Sequence, residues 1–298
     1  MYQQNTLPGA AALHIRAAGR TDTGRVRAHN EDTIALCEPP DQAASAQSGW
    51  LYLLADGVGG HAAGEVASRI AVETISSVYY DQSVSRELGV EDVQAQGVVK
   101  LLDGPLYDLD AAIIHIRRAF SAAHTRILQQ MILKPEYSGM ATTCVAALVK
   151  GAHLLIAHIG DSRAYLLQPS SEPLPTLTRL TTDHSMVMEL ARVGAISPEQ
   201  MQNSPYRHII LRALGGTTKD NPCPDIMTCM VQAGDRLILC CDGLWSMLTE
   251  QQIALVASRN TPQAACDEFI RLANEAGGED NISVVVLSFT QVPEKEEA

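Results

Sequence analysis

Trp50 to Ala55 is an unbroken apolar run that stops on Asp56-Gly57, and Leu237 to Cys241 repeats the pattern, stopping on Asp242-Gly243. Short apolar runs ended by a turn dipeptide predict buried strands. From Glu65 to Tyr79, Val66, Ile70, Val72, Ile75 and Val78 recur at helical spacing, and Leu109, Ile113, Ile116, Phe120, Ile127 and Met131 predict a second helix over Asp108 to Leu133, closed by Pro135. Between them, residues 81–107 carry Gly89, Gly97, Gly104 and Pro105 and read as an irregular or partly helical excursion. The period then shortens. Thr142 to Val149, Ala152 to Ile159 and Ser162 to Leu167 read as three strands punctuated by Lys150-Gly151 and Gly160-Asp161. Upstream, a strand is expected from His14, broken near Gly19 and Gly24, then another over Thr33 to Cys37, with 39–49 as a hairpin loop. Downstream come helices over Ser185 to Val193, from Ser197-Pro198-Glu199, from Thr249, and over Pro262 to Ala273, and a last strand over Ile282 to Phe289.

Strands before and after a pair of long helices favour an α+β layered sandwich over a doubly wound sheet. The 298 residues suit one large domain over 13–290, between a loose tail at 1–12 and a charged tail at 291–298. A formal net charge of -12 argues against a surface that grips nucleic acid or anionic lipid, since both require basic patches. The first twenty residues lack a basic segment followed by a long apolar one, and the apolar runs are strand-sized, so a cytoplasmic protein without a membrane span is expected. Seven cysteines with no C-x-x-C spacing read as free thiols rather than a Cys-rich zinc site.

Most Asp-Gly pairs are only turns. A charge at the end of a core strand is costly, however, unless a cation or hydrogen bonds offset its desolvation. Glu31-Asp32 lies between two predicted strands and Asp280-Asn281 directly precedes the last one, so four strand ends carry carboxylates that can converge in one cleft. Oxygen donors without a His/Cys cluster suit Mg²⁺ or Mn²⁺ rather than zinc. Two such ions sharing a carboxylate can activate a water for in-line attack on phosphorus. Arg27, four residues before Glu31, is either a two-pronged phosphate clamp or an ordinary ion-pairing arginine, and spacing favours neither. The glycines of Asp56-Gly57-Val58-Gly59-Gly60-His61 allow a backbone carbonyl to approach an ion, while the absence of G-x-x-x-x-G-K-[ST] argues against a nucleotide site. His61 can protonate a leaving alkoxide, although a structural role is the commoner one for such a histidine, and His158 and His184 read as loop-orienting hydrogen bonders.

In order along the chain come Thr21-Asp22-Thr23-Gly24-Arg25-Val26-Arg27-Ala28-His29-Asn30-Glu31-Asp32, DGVGGH at 56–61, GMATT at 139–143, HIGDSRAY at 158–165, TTDHS at 181–185, AISPEQ at 195–200, LRALG at 211–215, LCCDGLW at 239–245 and GGEDNISVVVL at 277–287. This series resembles the bacterial branch of the PP2C-type (PPM) protein phosphatases. The resemblance implies a four-layer α-β-β-α sandwich, a central β-sandwich flanked by helix pairs, and hydrolysis of phosphoserine and phosphothreonine in proteins at two Mn²⁺ or Mg²⁺ ions. By the same resemblance Asp56 bridges both metals beside the Gly57 carbonyl, Asp242 and Asp280 complete one shell, and Glu31 and Asp32 serve the other. Arg27 then binds the substrate phosphate, and Met186 to Arg207 forms a mobile flap. The phosphorylated substrate is expected to belong to a cognate serine/threonine kinase.

Three departures stand out. Ala141 replaces the second glycine of the family's Gly-Met-Gly-Thr-Thr, so the backbone there must avoid positive φ or accommodate a methyl. Ser138 stands where many relatives carry an acidic ligand for a third metal, which puts that metal in doubt, and 81–107 is longer than the usual link. An inactive phosphoprotein-binding module is the alternative these departures leave open.

Overall fold

The computed structural model describes residues 13–37, 48–58, 63–81, 99–101, 109–170, 175–201, 204–216 and 223–291. In chain order these form β1 (Leu13–Asp22), β2 (Thr33–Cys37), β3 (Trp50–Ala55), β4 (Gly57–Val58), α1 (Ala63–Tyr80), β5 (Val99–Leu101) and α2 (Asp110–Leu133). A 3-10 turn at Pro135–Tyr137 leads to β6 (Ala141–Thr142), β7 (Cys144–Lys150), β8 (His153–Ile159), β9 (Arg163–Gln168) and β10 (Thr176–Arg179). Then follow α3 (Met186–Arg192), α4 (Pro198–Met201), β11 (Leu214–Gly215), β12 (Asp225–Met230), β13 (Arg236–Cys240), α5 (Asp242–Trp245), α6 (Glu250–Arg259), α7 (Pro262–Glu275) and β14 (Ile282–Gln291).

Two large sheets face each other. One has the order β1-β14-β13-β9-β10 and the other β2-β3-β7-β8-β12-β5, with a small β11-β6-β4 ribbon at one end. All pairings are antiparallel except β12 with β5. The two-residue period of a strand, with both faces covered, explains why β3 and, after Arg236, β13 are apolar. Tyr52 and Leu54 point between the sheets, where they meet Leu237, Leu239, Val285 and Leu287. Leu51, Leu53 and Ala55 point the other way, onto α1 and α2. From the second sheet Ile238 and Cys240 pack outward under α6 and α7. Helix pair, sheet, sheet, helix pair is the four-layer order expected from the resemblance. Each leucine wholly withdrawn from water contributes about 1.5–3 kcal/mol, and the three cores share this central pair of strands.

The helix starts follow local chemistry. Thr249 and Gln252 form a reciprocal capping box at α6, and Thr261 accepts the Ala264 N–H with Pro262 in the first turn of α7.

Several boundaries differ from the sequence reading. β1 runs unbroken through Gly19, whose missing side chain admits Ile34: a Cβ there would lie 2.8 Å from its Cδ1. The chain leaves the strand at Gly24, at φ +80°. The expected strand over Thr142 to Val149 is divided at Thr143, because Ala141 and Thr142 pair instead with β4 and β11. Ala141 thus occupies extended strand backbone, where a methyl is tolerated. β10 and β12 have no counterpart in the sequence reading. Most of the excursion at 81–107 and of the loop at 39–49 lies outside the described residues, apart from β5 and the antiparallel pairing of β2 with β3 that a hairpin requires. Among the described residues no helix is long and apolar enough to cross a membrane.

Candidate active site

Asp56 follows the last residue of β3 in one sheet and Asp242 stands two residues past the end of β13 in the other, so the two apolar runs deliver their carboxyls to the same end of the sandwich from opposite walls. The backbone of Asp56 is pinned. Its N–H donates to Thr143 Oγ1 (3.2 Å), and its carbonyl accepts from Thr143 N (2.8 Å) and Thr142 Oγ1 (2.8 Å). Gly57 donates its N–H to the Glu31 carbonyl (3.2 Å), and a Cβ at Gly57 would sit 2.6 Å from that oxygen and closer still to Gly64. Gly243, read from sequence as a turn residue, lies inside α5, where a methyl would run into the Asn281 carbonyl. These glycines hold backbone segments at near-contact rather than supplying flexibility.

Asn281 ties the third wall. Its Nδ2 donates to the carbonyls of Thr23 (2.9 Å) and His29 (2.9 Å), and its Oδ1 accepts the Glu31 N–H (2.8 Å). One amide side chain thereby fixes the loop carrying Glu31 and Asp32 against the approach to β14. Asp280, beside it, accepts from Asn281 N (2.8 Å) and from Arg27 Nη2 (2.6 Å). Arg27 remains about half exposed in this ion pair, at the rim.

The electrostatics of the cluster are one-sided. Burial pushes the Asp32 carboxyl up to about 7, tempered by Ser283 and Cys241 nearby and raised further by Asp242 and Asp280. Asp242 is pushed up to about 6, by burial and then by Asp280. Asp56 rises well above the carboxylate range, through burial and the charges of Asp32, Asp242, Asp161 and Asp280. Glu31 is also raised, chiefly by desolvation, although Arg27 pulls the other way. Neither oxygen of buried Asp32 accepts a hydrogen bond of good geometry. Asp56 and Asp242 keep part of their surface open, while protein crowds both carboxyl groups. Buried carboxyls are ordinarily paired. Packing several together, with acceptors left over, fits a place for cations, and the donor set is oxygen with one thiol, Cys241.

Glu31, Asp32, Asp56, Gly57, Asp242, Asp280 and Arg27, singled out in the sequence, therefore come together. His61 lies outside the described residues. Asp161 was missed. It is buried in the turn after β8, its Oδ1 has no hydrogen-bond partner, and its carboxyl is pushed up to about 8 by burial and then by Asp242 and Asp183. The signal was available, since HLLIAHI at 153–159 is another apolar run that ends by delivering an aspartate, with the glycine before it rather than after.

His184 clamps that turn, taking the Gly160 N–H on Nδ1 (3.0 Å) while its own backbone N–H donates to the Gly160 carbonyl (2.9 Å). Arg163 makes a forked contact to Asp183 and stacks 3.6 Å over Trp245, whose Nε1 donates to the Asp161 carbonyl (3.0 Å). His158, stacked on His184, and Asp225 would suit a metal by type, but Arg212 already sits there, with Nη1 2.8 Å from His184 Nε2 and 2.9 Å from Asp225 Oδ1. A guanidinium is the cation of that second cluster, and the loop-orienting role expected of His184 is the one it performs. Ser185 and Ile210 form a bridge and Met186 N donates to the Ile209 carbonyl (2.9 Å), which pins both ends of the segment carrying α3 and α4.

Comparison with known proteins agrees with this geometry. The family described as Protein phosphatase 2C matches residues 17–282. The serine/threonine phosphatase stp of Listeria welshimeri is 35% identical over 92% of this chain and 95% of its own length. A serine/threonine phosphatase structure from S. agalactiae superposes with a TM-score of 0.74 at 28% identity, covering 92% of this chain and 99% of that one. The catalytic domain of the phosphatase PstP, crystallised in complex with two manganese ions, superposes with a TM-score of 0.67 at 34% identity, covering 93% and 99%. With the sandwich, the ordered motifs and the carboxylates gathered at one end of it, the chain belongs to the protein phosphatase 2C family and is a metal-dependent serine/threonine protein phosphatase.

Proposed function

We propose that phosphoester hydrolysis takes place where Asp56 and Asp242 meet, with two Mn²⁺ or Mg²⁺ ions held by Asp56 between them, the Gly57 carbonyl, Asp242 and Asp280 on one side, and Glu31 and Asp32 on the other. The observation that carries this reading is the set of carboxyls raised by burial and then by one another, with both Asp32 oxygens left over. When bound, the ions supply charge neutralisation for the phosphoryl oxygens and acidify a water for attack. Asp161 adds a further oxygen donor beside Asp242.

The chain's own residues then divide the remaining work. Arg27 is held by Asp280 yet half exposed, so its free N–H groups can fork onto a phosphate without leaving the rim. His61 is the residue proposed to protonate the leaving alkoxide. The segment 186–207, pinned at its base, shapes access to the cage. The substrates on this reading are proteins phosphorylated on serine or threonine, produced by a cognate kinase, in keeping with the names of the relatives. No carboxylate of the set is replaced, which leaves the inactive-module alternative without support.

Phosphate release from a phosphothreonine peptide tests the assignment. Turnover requires Mn²⁺ or Mg²⁺ and collapses in Asp56→Ala and in Asp242→Ala. Full activity in both variants, or release in the presence of a chelator, overturns it.

A further inference from the structure

Among the described residues, Cys241 is the one sulfur donor in an otherwise oxygen-lined cage. Strand alternation sends Cys240 outward beneath α7 and turns Cys241 inward, toward the space between the sheets. The Cys241 Sγ and carboxylate oxygens of Asp32 and Asp56 all lie within 4.8 Å of one another. Sγ accepts the Ser283 N–H (3.0 Å) and its S–H donates to the Asn281 carbonyl (3.2 Å), so its position is set by backbone rather than by a free rotamer. Asp32, more than nine-tenths buried, contributes two oxygens with no hydrogen-bond partner of good geometry.

We infer that Asp32, Asp56 and the Cys241 thiolate form a site for a thiophilic divalent cation, Zn²⁺ or Cd²⁺, which competes with Mn²⁺ or Mg²⁺ for Asp56. This inference rests on the proposed cage. Zinc binds sulfur at about 2.3 Å and carboxylate oxygen at about 2.0–2.2 Å, so ligand atoms about 4 Å apart can share one ion, and the observed spacing closes with shifts of under about 1 Å. Hard Mn²⁺ and Mg²⁺ gain little from sulfur, whereas Zn²⁺ and Cd²⁺ gain much. As the metal–sulfur bond forms, the Sγ–H bond breaks, its hydrogen bond to the Asn281 carbonyl is given up, and the proton passes to water. No electron is transferred. The Ser283 N–H already directed at Sγ stabilises the thiolate that results. A serine at 241 would leave an oxygen-only cage without this selectivity.

Cadmium titration of the metal-free full-length protein tests the site through the ultraviolet thiolate-to-cadmium charge-transfer band, a readout independent of turnover. The parent develops the band with the first equivalent, Mn²⁺ in excess erases it, and Cys241→Ser lacks it although the other cysteines remain. Asp32→Asn keeps the thiol but requires at least about tenfold more Cd²⁺ to reach the same absorbance. This variant decides the question if Cys241→Ser fails to give the parent's far-ultraviolet circular dichroism. A first-equivalent band that persists in Cys241→Ser, that resists excess Mn²⁺, or that is unshifted in Asp32→Asn overturns the inference. Loss of the proposed cage would register separately, as Mn²⁺-independent phosphate release by the parent, whatever the cadmium band does.

Discussion

If the aspartate cage is kept for its ions, removing one of its charges should stabilise the metal-free protein. Asp32 is the most informative position, being buried and pushed up to about 7 from the ordinary 3.8, with no well-formed hydrogen bond to lose. Its folded value lies above its unfolded one, so the native state binds the proton more tightly, and stability falls as pH rises from the unfolded value through the folded one. A carboxyl raised that far carries a penalty of roughly 4 kcal/mol once it is charged. Asp32→Asn removes that penalty but buries an amide whose unmet hydrogen bonds cost about 1–3 kcal/mol, leaving a net gain of about 1–3 kcal/mol near pH 8. The amide cost does not depend on pH, so the gain should shrink by about 2–3 kcal/mol near pH 5, where the native parent keeps its proton. Urea unfolding of both proteins with chelator at the two pH values measures this directly. Saturating Mn²⁺ should reverse the order, because the parent gains binding free energy, about 2.7 kcal/mol at a hundredfold excess over Kd, that the variant loses in part. Equal destabilisation of Asp32→Asn at both pH values would refute the reasoning.

The remaining expectations concern the rim, the close contacts and the protons. Arg27→Ala should lower kcat/KM for a phosphopeptide by roughly 10–100-fold, the worth of a charge-assisted pair, with Arg27→Lys recovering only part of it; an unchanged kcat/KM would make Arg27 merely the partner of Asp280. Gly243→Ala places a methyl against the Asn281 carbonyl and should lower stability by about 1–3 kcal/mol, read as a drop in Tm; an unchanged Tm would contradict the close approach. Because burial pushes the carboxyls of Asp32, Asp161 and Asp242 up to about 7, 8 and 6, and raises Asp56 in the same direction, cations compete with protons for the cage. The Mn²⁺ concentration for half-activation should fall by about tenfold or more from pH 6 to pH 8, and a flat profile would contradict the raised carboxyls.

How much of this was legible varies with the range of the physics involved. Asp56 and Asp242 were readable because a carboxylate that terminates a core strand is a local anomaly, visible within a single short stretch of sequence. Asp280 was readable from its place before the last apolar strand, whereas the work of Asn281 was not, since its partners lie about 250 positions away. The same distance hid the Arg27–Asp280 pair and left the two readings of Arg27 level. Asp161 follows a largely apolar run that His158 interrupts, and Gly160 before it made the pair read as punctuation. β12 escaped because Asp225 and Thr228 interrupt its apolar pattern, and β4, β6 and β11 are too short for any period to register. Gly19 was read as a break because glycine usually punctuates, whereas here it is required by the approach of Ile34. A layered α+β arrangement was recoverable from the alternation of long helices and apolar runs, while the four-layer order and the division of roles among the carboxylates came from the family resemblance.

The central claim is that the end of the sandwich holds two divalent ions through Asp56, and anomalous scattering from Mn²⁺-soaked crystals tests it most directly. The account predicts two manganese peaks, one on either side of the Asp56 carboxylate, with Asp242 and Asp280 against one of them and both peaks lost in Asp56→Ala. Peaks elsewhere on the molecule, or peaks that survive the substitution, would contradict it.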